Sequence, residues 1–364
     1  MDEVRRKQLL ETMGEQIDRA ITICMRPPGY NWGATPRLWE AGRKKFGRPL
    51  TLLTAEKLMA AVKPGDTVIL STGWPIPPLF PDGEICGLAG VASLARALSW
   101  ACGSKALVVT EEANMGAIKA VAQACTLRVW DYELWKKMPA HMALAIKSFP
   151  IDDEAAKKEA KRLLDETNAK AVITIEKNDV NHLGVHHTGE GGDMGPFTAK
   201  VEHVVMEANR RGILTVGIGD VGNEIGMGNI REAVQEIIVP FGKKCQCPCG
   251  GGIASATPTD CTVVASASNK GAYGVAACLA GLTGNMDVIH SNELAQRMMD
   301  AAVNYPVFDS MTVSNTMTED GVPFRHTLAL LDQLRWFVEI LDWKNPLYTK
   351  ARIETGSVVK EWLE

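Results

Sequence analysis

Short apolar runs alternate with longer amphipathic stretches along most of this chain. The apolar runs have the length and composition of buried strands, and they lie at 67–70, 106–110, 127–130, 171–175, 214–218 and 262–265. Stretches with the helical period separate them, at 88–100, 114–124, 152–168, 198–211, 230–237 and 270–282. Strands that alternate with helices predict an α/β fold: a mostly parallel sheet flanked by helices on both faces, in three layers.

Helical patterns also dominate the two ends of the chain. Predicted helices lie at 4–24, 54–62, 292–303 and 324–341, whereas the segment between 29 and 54 shows no clear period. The length allows one large domain or two smaller ones. Because no segment has the composition of a linker, we predict a single α/β domain over 1–364. It comprises a helical N-terminal extension at 1–50, a sheet core that carries the site at 51–285, and a helical C-terminal cap at 286–364.

Composition and charge argue against several classes of protein. The 364 residues are 46% hydrophobic with a net charge of -4 and a pI near 6.0, so no basic surface favours nucleic acid as a partner. No apolar run approaches the roughly 20 residues that cross a membrane. The charged start carries no apolar signal core. We therefore expect a cytoplasmic protein without nucleic acid or a membrane as a partner. The sequence does not decide whether it forms a homo-oligomer.

The most informative segment is the glycine-rich run at 217–228, at the end of a predicted strand. Its five glycines let the backbone turn sharply and approach a ligand closely. Asp220, Asn223 and Glu224 add oxygen ligands to that backbone. The glycine spacing also matches the dinucleotide fingerprint, but Asp220 would meet a pyrophosphate charge to charge, and the ribose-binding acid expected about 20 residues later is missing. The run is therefore more typical of a cation site.

Acidic residues follow several predicted strands. Glu111, Asp131, Glu176 and Asp220 each come directly after a strand, and ligands of open α/β sheets bind at the carboxyl ends of the strands. Carboxylates that meet there repel unless a cation lies between them. Hard oxygen ligands select Mg²⁺, Mn²⁺ or Ca²⁺. Any single acid can instead be a helix cap. We predict a metal site at Asp220, Glu224 and Glu176.

Three other segments are candidates for substrate contacts. The loop at 177–196 has no period and carries Asn181, His186 and His187, so it is either a flexible connection or a lid that contacts a bound carboxylate. The helix start at 266–274 offers free N–H groups to an anion, and it can equally be a simple cap. Glu84, in the proline-rich loop after the first strand, is a capping acid or a ligand.

The cysteines leave two interpretations open. Nine cysteines, an odd number, argue against a secreted disulfide framework. Cys245, Cys247 and Cys249 stand at alternate positions, with Cys261 downstream. They are either ligands of a soft metal or an iron–sulfur cluster, or free thiols of a loop. The spacing matches no standard zinc signature.

The string Gly-Asp-Val-Gly-Asn-Glu-Ile-Gly-Met-Gly at 219–228 resembles the signature of the D-glutamate cyclase family. Further stretches resemble the same family in order along the chain, at 73–78, 83–84, 92–98 and 268–273. The resemblance implies a reversible cyclisation of D-glutamate to 5-oxo-D-proline with loss of water, aided by Mn²⁺ or Mg²⁺. The chain departs from the family pattern at Val221, Cys86 and Lys270, where glycine, aspartate and tryptophan are usual.

The resemblance and the acidic loop together imply a mechanism. A divalent cation on Asp220 and Glu224, with Glu176, would bind the carboxylate under attack. His186, His187 or Glu84 would take the amine proton. The expected substrate-binding residues are Asn181, Asn223, Ser268, Asn269, Lys270 and Gly271. The resemblance therefore implies a hydro-lyase whose partner is a small-molecule substrate, an amino acid or a carboxylate. The same site also suits a metal-dependent hydrolase of a lactam, amide or phosphate ester, or a non-catalytic protein that binds a metal or a carboxylate.

Overall fold

The structure, a computed structural model, describes residues 3–29, 31–139 and 141–341. Its helices are α1 Glu3–Ile21, α2 Ala34–Phe46, α3 Leu50–Ala61, α4 Leu88–Cys102, α5 Met115–Ala124, α6 Tyr132–Lys137, α7 Asp153–Thr167, α8 Glu202–Arg211, α9 Arg231–Ile237, α10 Ser268–Thr283, α11 Asn292–Val303 and α12 Phe324–Glu339. Its strands are β1 Thr67–Gly73, β2 Lys105–Thr110, β3 Arg128–Trp130, β4 Ala143–Ser148, β5 Ala171–Lys177, β6 Leu214–Gly219, β7 Cys261–Val264, β8 Thr318–Glu319 and β9 Val322–Pro323. The predicted alternation of strands and helices is confirmed.

Strands β1 to β7 form one parallel sheet in the order β3-β4-β2-β1-β5-β6-β7. The chain places β2, β3 and β4 on one side of β1 and then crosses to the other side for β5, β6 and β7. The direction of winding thus switches between β1 and β5. A ligand crevice opens at the carboxyl ends of the strands at such a switch.

Helices cover both faces of the sheet, which confirms the three-layer prediction. On one face, Val68 and Ile173 belong to a core cluster that includes α4 and α10. On the other face, Ile69 and Val172 pack with α7 and α8. Successive side chains of a strand point to opposite faces, so both faces of β1 and β5 are buried. This is why the strands are continuous apolar runs in the sequence rather than alternating ones.

Small residues bring α4 and α10 close to each other and to the sheet. A Cβ on Gly90 of α4 would lie 2.7 Å from Asn269 Oδ1, and one on Gly271 of α10 would lie 2.5 Å from Ile218 Cγ2. Neither position has room for a larger side chain. The close approach sets the first turns of both helices directly beside the ends of β1, β5 and β6.

The apolar pattern misses α2, β4, the short helix α6 and the β8–β9 hairpin. Helix α2 lies in the segment where no period is visible, and it buries only Ala34, Thr35, Leu38 and Gly42. So few apolar side chains give no clear stripe. Strand β4 is rich in alanine, which has a low strand propensity, and it forms because it pairs with β2 on one side and β3 on the other.

Helices occupy both ends of the described chain, as predicted. Helices α1 and α3, which belong to the N-terminal part of the chain, pack against α10. Helix α12, which belongs to the C-terminal part, packs against α1 and α10. The β8–β9 hairpin within the predicted cap brings Asp320 to the core. The part of the cap predicted at 342–364 lies outside the described residues. None of the described helices has the length and apolar character to cross a membrane.

Candidate active site

A cavity of about 250 Å³ opens at the carboxyl ends of the central strands. It lies at the switch point that the strand order defines, beside the ends of β5 and β6. Apolar side chains of the loop after β1 form one wall, among them Trp74 and Phe80. The charged residues that line it are Arg26, Glu84, Glu176, Glu190, Asp220 and Asp320. The site is therefore small, strongly acidic, and closed on one side by an apolar wall.

A β-bulge shapes the end of β5 and orients Glu176. The register pairs Ser71 with Thr174 and Gly73 with Lys177, so β5 has one residue more than β1 over this interval. Glu176 lies within the extra length and has a left-handed backbone with φ 49°. A non-glycine residue adopts this conformation at a cost, and such strain is concentrated at functional sites.

The loop after β6 folds around the carboxylate of Glu224. Its Oε1 accepts the N–H groups of Asp220 at 3.0 Å and Val221 at 2.9 Å, and its Oε2 accepts that of Gly222 at 2.7 Å. Burial raises the pKa of Glu224 to about 7, against the effect of these three donors. Gly222 has φ 114°, a conformation that favours glycine. The structure thus uses Glu224 to shape the loop and presents Asp220 to the cavity.

Arg26 bridges two carboxylates in the cavity. Its Nη2 lies 2.6 Å from Asp220 Oδ2 and 2.9 Å from Asp320 Oδ2. The N–H of Ser268, at the start of α10, donates to the same Asp220 oxygen at 3.1 Å. Two buried atoms, Asp220 Oδ1 and Arg26 Nε, have no hydrogen-bond partner within the described structure. Each of them is therefore free to contact a ligand.

Buried carboxylates outnumber the cations around this cavity. Burial and then the charge of Asp220 raise the pKa of Glu176 well above its ordinary value. Burial and then the charge of Asp320 do the same to the pKa of Glu84. Burial also raises the pKa of Asp320 to about 6, even though a guanidinium contacts it. The cluster lacks positive charge, and a bound cation would relieve that shortage.

The donor set fits a divalent cation. Cys86 Sγ and one carboxylate oxygen each from Glu176 and Asp220 lie within 4.8 Å of one another. Burial raises the pKa of the Cys86 thiol well above its ordinary value. Two of the three donors are carboxylate oxygens, and these favour a hard cation. The unpartnered Asp220 Oδ1 is the atom best placed to bind it.

Lys270, in the first turn of α10, is fully buried beside the carboxylate cluster. Its ammonium group makes no hydrogen bond among the residues that the structure describes. Burial lowers its pKa, while the charges of Glu319 and Asp320 act in the opposite direction. Tyr273, one turn along α10, has a hydroxyl that is likewise buried and unpartnered. A buried ammonium without a partner is costly. Lys270 is not among the residues that line the cavity, but the charge of the cavity-lining Asp320 acts on it.

The other predicted substrate contacts differ in where they lie. Asn223 lines the cavity. Asn269 crosslinks the fold, because its Oδ1 accepts the N–H groups of Gly87 at 2.9 Å and Gly90 at 2.7 Å. Asn181 donates to the carbonyl oxygen of Gly252 at 2.8 Å, within the loop region.

The three residues predicted as general bases, His186, His187 and Glu84, lie in different parts of the structure. His186 Nε2 lies 3.3 Å from Glu202 Oε1 on α8, and His187 Nε2 lies 3.2 Å from Cys247 Sγ. Neither histidine lines the cavity, whereas Glu84 does. Of the three predicted bases, the structure therefore brings only Glu84 to the acidic cluster.

The strand order explains which strand-end acids meet. Strands β5 and β6 are neighbours, so Glu176 and Asp220 come together. Glu111, at the end of β2, instead forms a buried ion pair with Lys177. Asp131 follows the edge strand β3 and caps α6, the alternative role that the sequence allows for a single acid.

Arg26 and Asp320 do not follow strands of the predicted sheet, so the sequence did not indicate that they belong to the site. Arg26 lies after α1, just before Pro27 and Pro28, and Asp320 lies in the turn between β8 and β9 with φ 53°. The sequence around Asp320 signals a turn, but a turn signal does not tell which part of the protein the turn contacts.

A family model described as D-glutamate cyclase-like, C-terminal, matches residues 38–335. The match includes the ends of β1, β5 and β6 and the hairpin with Asp320, and it leaves Arg26 outside its range. No curated protein matches the chain.

Proposed function

This chain belongs to the D-glutamate cyclase-like family, and from that membership we propose that it is a metal-dependent lyase. The proposed reaction interconverts D-glutamate, or a related amino acid, with 5-oxo-D-proline and water. The observation that carries the proposal is a single small cavity in which buried carboxylates outnumber the cations, and where Asp220 Oδ1 and Arg26 Nε lack partners among the described residues.

The size of the cavity supports a small substrate. Its volume of about 250 Å³ is below the roughly 300–1,000 Å³ of sites that bind drug-sized ligands. An amino acid is within this size class. The apolar wall with Trp74 and Phe80 would cover the methylene groups of such a substrate and keep bulk water out.

Two buried cations suit a substrate with two carboxylates. Arg26 Nε and the ammonium group of Lys270 are both buried without a partner in the described structure. Arg26, which lines the cavity, would bind one carboxylate of glutamate through a charge-assisted hydrogen bond. Lys270, which does not line it, would bind the other carboxylate after a rotation of its side chain. Holding both carboxylates at fixed positions would bend the substrate, so that its amine lies near the carboxyl carbon that it attacks.

Glu176 and Asp220 would hold the divalent cation, Mn²⁺ or Mg²⁺, which when bound polarises the carboxylate under attack. In the cyclisation a C–N bond forms and a C–O bond breaks. The ammonium group of the substrate loses two protons, and the departing oxygen takes both and leaves as water. Glu84 lines the cavity, and burial and then the charge of Asp320 raise its pKa well above the ordinary value. We assign it the role of accepting a proton from the amine and passing it to the departing oxygen.

The test is direct. The purified protein is incubated with D-glutamate, L-glutamate or 5-oxo-D-proline, with Mn²⁺, with Mg²⁺ or with EDTA, and the products are separated by chiral chromatography. We expect metal-dependent interconversion of one enantiomer in both directions. Failure to interconvert any of them with a cation bound, as measured by calorimetry, would contradict the cyclase proposal. Turnover of other lactams, amides or phosphate esters instead would indicate the hydrolase.

Matched variants separate the site from the fold. Asp220→Asn keeps the size of the side chain but removes the charge that would bind the cation, so we expect it to lose activity and cation binding. Asp131→Asn changes a strand-end acid that is exposed and distant from the cavity. It is expected to keep both properties. Equal loss in the two variants would show that the effect does not come from the cavity.

A further inference from the structure

A second group of potential ligands lies outside the carboxylate cavity. His187 and the three cysteines Cys245, Cys247 and Cys249 each place one donor atom within 4.8 Å of all the others. The histidine comes from the loop after β5 and the cysteines from the segment between α9 and β7, so the fold brings together residues that are far apart in the sequence. Cys261, at the start of β7, does not belong to the group.

Four of the six distances between the donor atoms are close to those of a tetrahedron around an ion. His187 Nε2 lies 3.2 Å from Cys247 Sγ and 3.4 Å from Cys249 Sγ, and Cys245 Sγ lies 3.5 Å and 3.3 Å from the same two sulfurs. With bonds of about 2.3 Å to sulfur and about 2.0 Å to nitrogen, zinc in a regular tetrahedron separates two sulfurs by about 3.8 Å and sulfur from nitrogen by about 3.5 Å. Small outward movements of the side chains would therefore admit the ion.

We propose that His187, Cys245, Cys247 and Cys249 form a closed structural site for one Zn²⁺ ion. Three thiolates and an imidazole are ligands for zinc and not for Mn²⁺ or Mg²⁺. Four protein ligands fill all the tetrahedral positions, which is the pattern of a structural site and leaves no position for a substrate. Each cysteine loses its proton when the ion binds. The site shares no ligand with the carboxylate cavity, and its assignment does not rest on the proposed reaction.

The surroundings of the sulfurs support this assignment. The N–H of Gly251 points to Cys249 Sγ at 3.5 Å, and the side-chain amide of Asn181 points to the same sulfur at 3.6 Å. Such donors stabilise a thiolate ligand from outside the coordination shell. Disulfide bonds do not explain the cluster, since these cysteines are free and the S–S distance of a disulfide is about 2.05 Å.

The ion would hold the loop after β5 in place. The carbonyl oxygen of Gly191 already accepts the N–H groups of Gln246 at 3.0 Å and Cys247 at 3.2 Å. The carbonyl oxygen of His187 accepts the side-chain amide of Asn223 at 2.8 Å, which connects the proposed zinc site with the loop that presents Asp220. Thr188, Gly189 and Glu190, directly after the histidine, line the cavity. Zinc would therefore stabilise one edge of the cavity without contacting the substrate.

The experiment begins with the full chain purified under reducing conditions without chelators. Elemental analysis is expected to find one zinc per chain. After the zinc is removed, Co²⁺ is added as a spectroscopic probe. We expect the intense visible bands of tetrahedral cobalt and a thiolate-to-cobalt charge-transfer band. Wild-type protein that carries no zinc and gives neither band overturns the proposal, and so does a disulfide between two of the three cysteines found by mass spectrometry.

Variants then assign the ion to this site. Cys247→Ser combined with Cys249→Ser is expected to lose the zinc, and circular dichroism checks that the variant is folded. If it does not fold, the cobalt spectrum of the wild-type chain still decides the question. Cys24→Ser, at a partly buried cysteine outside the group, and Asp220→Asn, in the carboxylate cavity, are both expected to keep the zinc. Zinc lost from Asp220→Asn but retained by the cysteine variant overturns the assignment.

Discussion

Glu224→Gln tests whether this residue shapes the glycine loop or binds the metal. The carboxylate of Glu224 is fully buried and accepts three backbone N–H groups, at 3.0, 2.9 and 2.7 Å. A glutamine of the same shape keeps one acceptor oxygen, which can serve Asp220 and Val221. Its NH₂ group then faces the N–H of Gly222, so two donors meet and one buried N–H loses its acceptor.

The expected cost follows from that single lost acceptor. Leaving a buried donor unsatisfied costs about 1–3 kcal/mol, and we expect the free energy of unfolding of Glu224→Gln to fall by that amount. Losing the charge adds no further cost, because burial and the charge of Asp220 already disfavour the charged form and raise the pKa of Glu224 to about 7. Glu232→Gln, at an exposed position of α9, should change it by less than about 0.5 kcal/mol.

The assay is unfolding in urea, followed by circular dichroism, together with calorimetric titration of Mn²⁺ into the folded variant. Loop shaping predicts a lower midpoint of unfolding with an unchanged slope, and cation binding that is weakened but measurable because Asp220 and Glu176 remain. A variant with wild-type stability that no longer binds the cation would refute this reasoning and make Glu224 a direct ligand.

Four further changes have defined outcomes. Arg26→Gln leaves two buried carboxylates without their shared cation, so thermal unfolding should show a loss of about 3–5 kcal/mol; a variant as stable as the wild type would contradict the pairing. Lys270→Met removes a buried ammonium that has no partner in the described structure, so it should raise the KM for the amino-acid substrate without lowering stability. Reduced stability with an unchanged KM would show that the lysine stabilises the fold and does not bind the substrate. Burial lowers the pKa of His290 from 6.5 to about 3. The stability that comes from its neutral ring is therefore present above pH 6.5 and is lost as the pH falls towards 3, at about 1.4 kcal/mol of unfolding free energy per pH unit. Unfolding of His290→Gln should depend less steeply on pH over this range, and an unchanged pH dependence would contradict the prediction. Gly87→Ala places a Cβ 1.9 Å from Thr72 Oγ1. It should lower the free energy of unfolding several-fold more than Gly47→Ala, where φ is also positive but no atom lies within 4 Å of the new Cβ. Equal losses in the two variants would show that backbone strain, and not the clash with Thr72, causes the destabilisation.

Much of the fold could be predicted because its signal is local. Each central strand is buried on both faces, so it is a continuous apolar run, and the helices between the strands carry an apolar stripe. The elements that escaped prediction lack that signal. Strand β4 is stabilised by its two neighbours in the sheet, and α2 buries too few apolar side chains to be recognised.

The candidate site could be predicted only in part. Glu176 and Asp220 could be predicted because both come at the ends of predicted strands, and the resemblance to the family pointed to the same glycine loop. The roles of the individual side chains within that loop could not be predicted. Glu224 and Asp220 are four residues apart, and only the backbone path shows that one carboxylate binds N–H groups while the other keeps an oxygen without a partner in the described structure.

By itself, the sequence determined that this is a parallel α/β protein of the D-glutamate cyclase-like family with acids at its strand ends, since periodicity, glycine spacing and motif are properties of neighbouring residues. Only the tertiary structure decided which charged groups meet. Arg26, from near the start of the chain, pairs with both Asp220 and Asp320, and His187 lies beside three cysteines that are about 60 residues further along the sequence. These contacts depend on long-range packing, because the energy of a buried charge is set by whatever surrounds it in space and not by its neighbours in the chain.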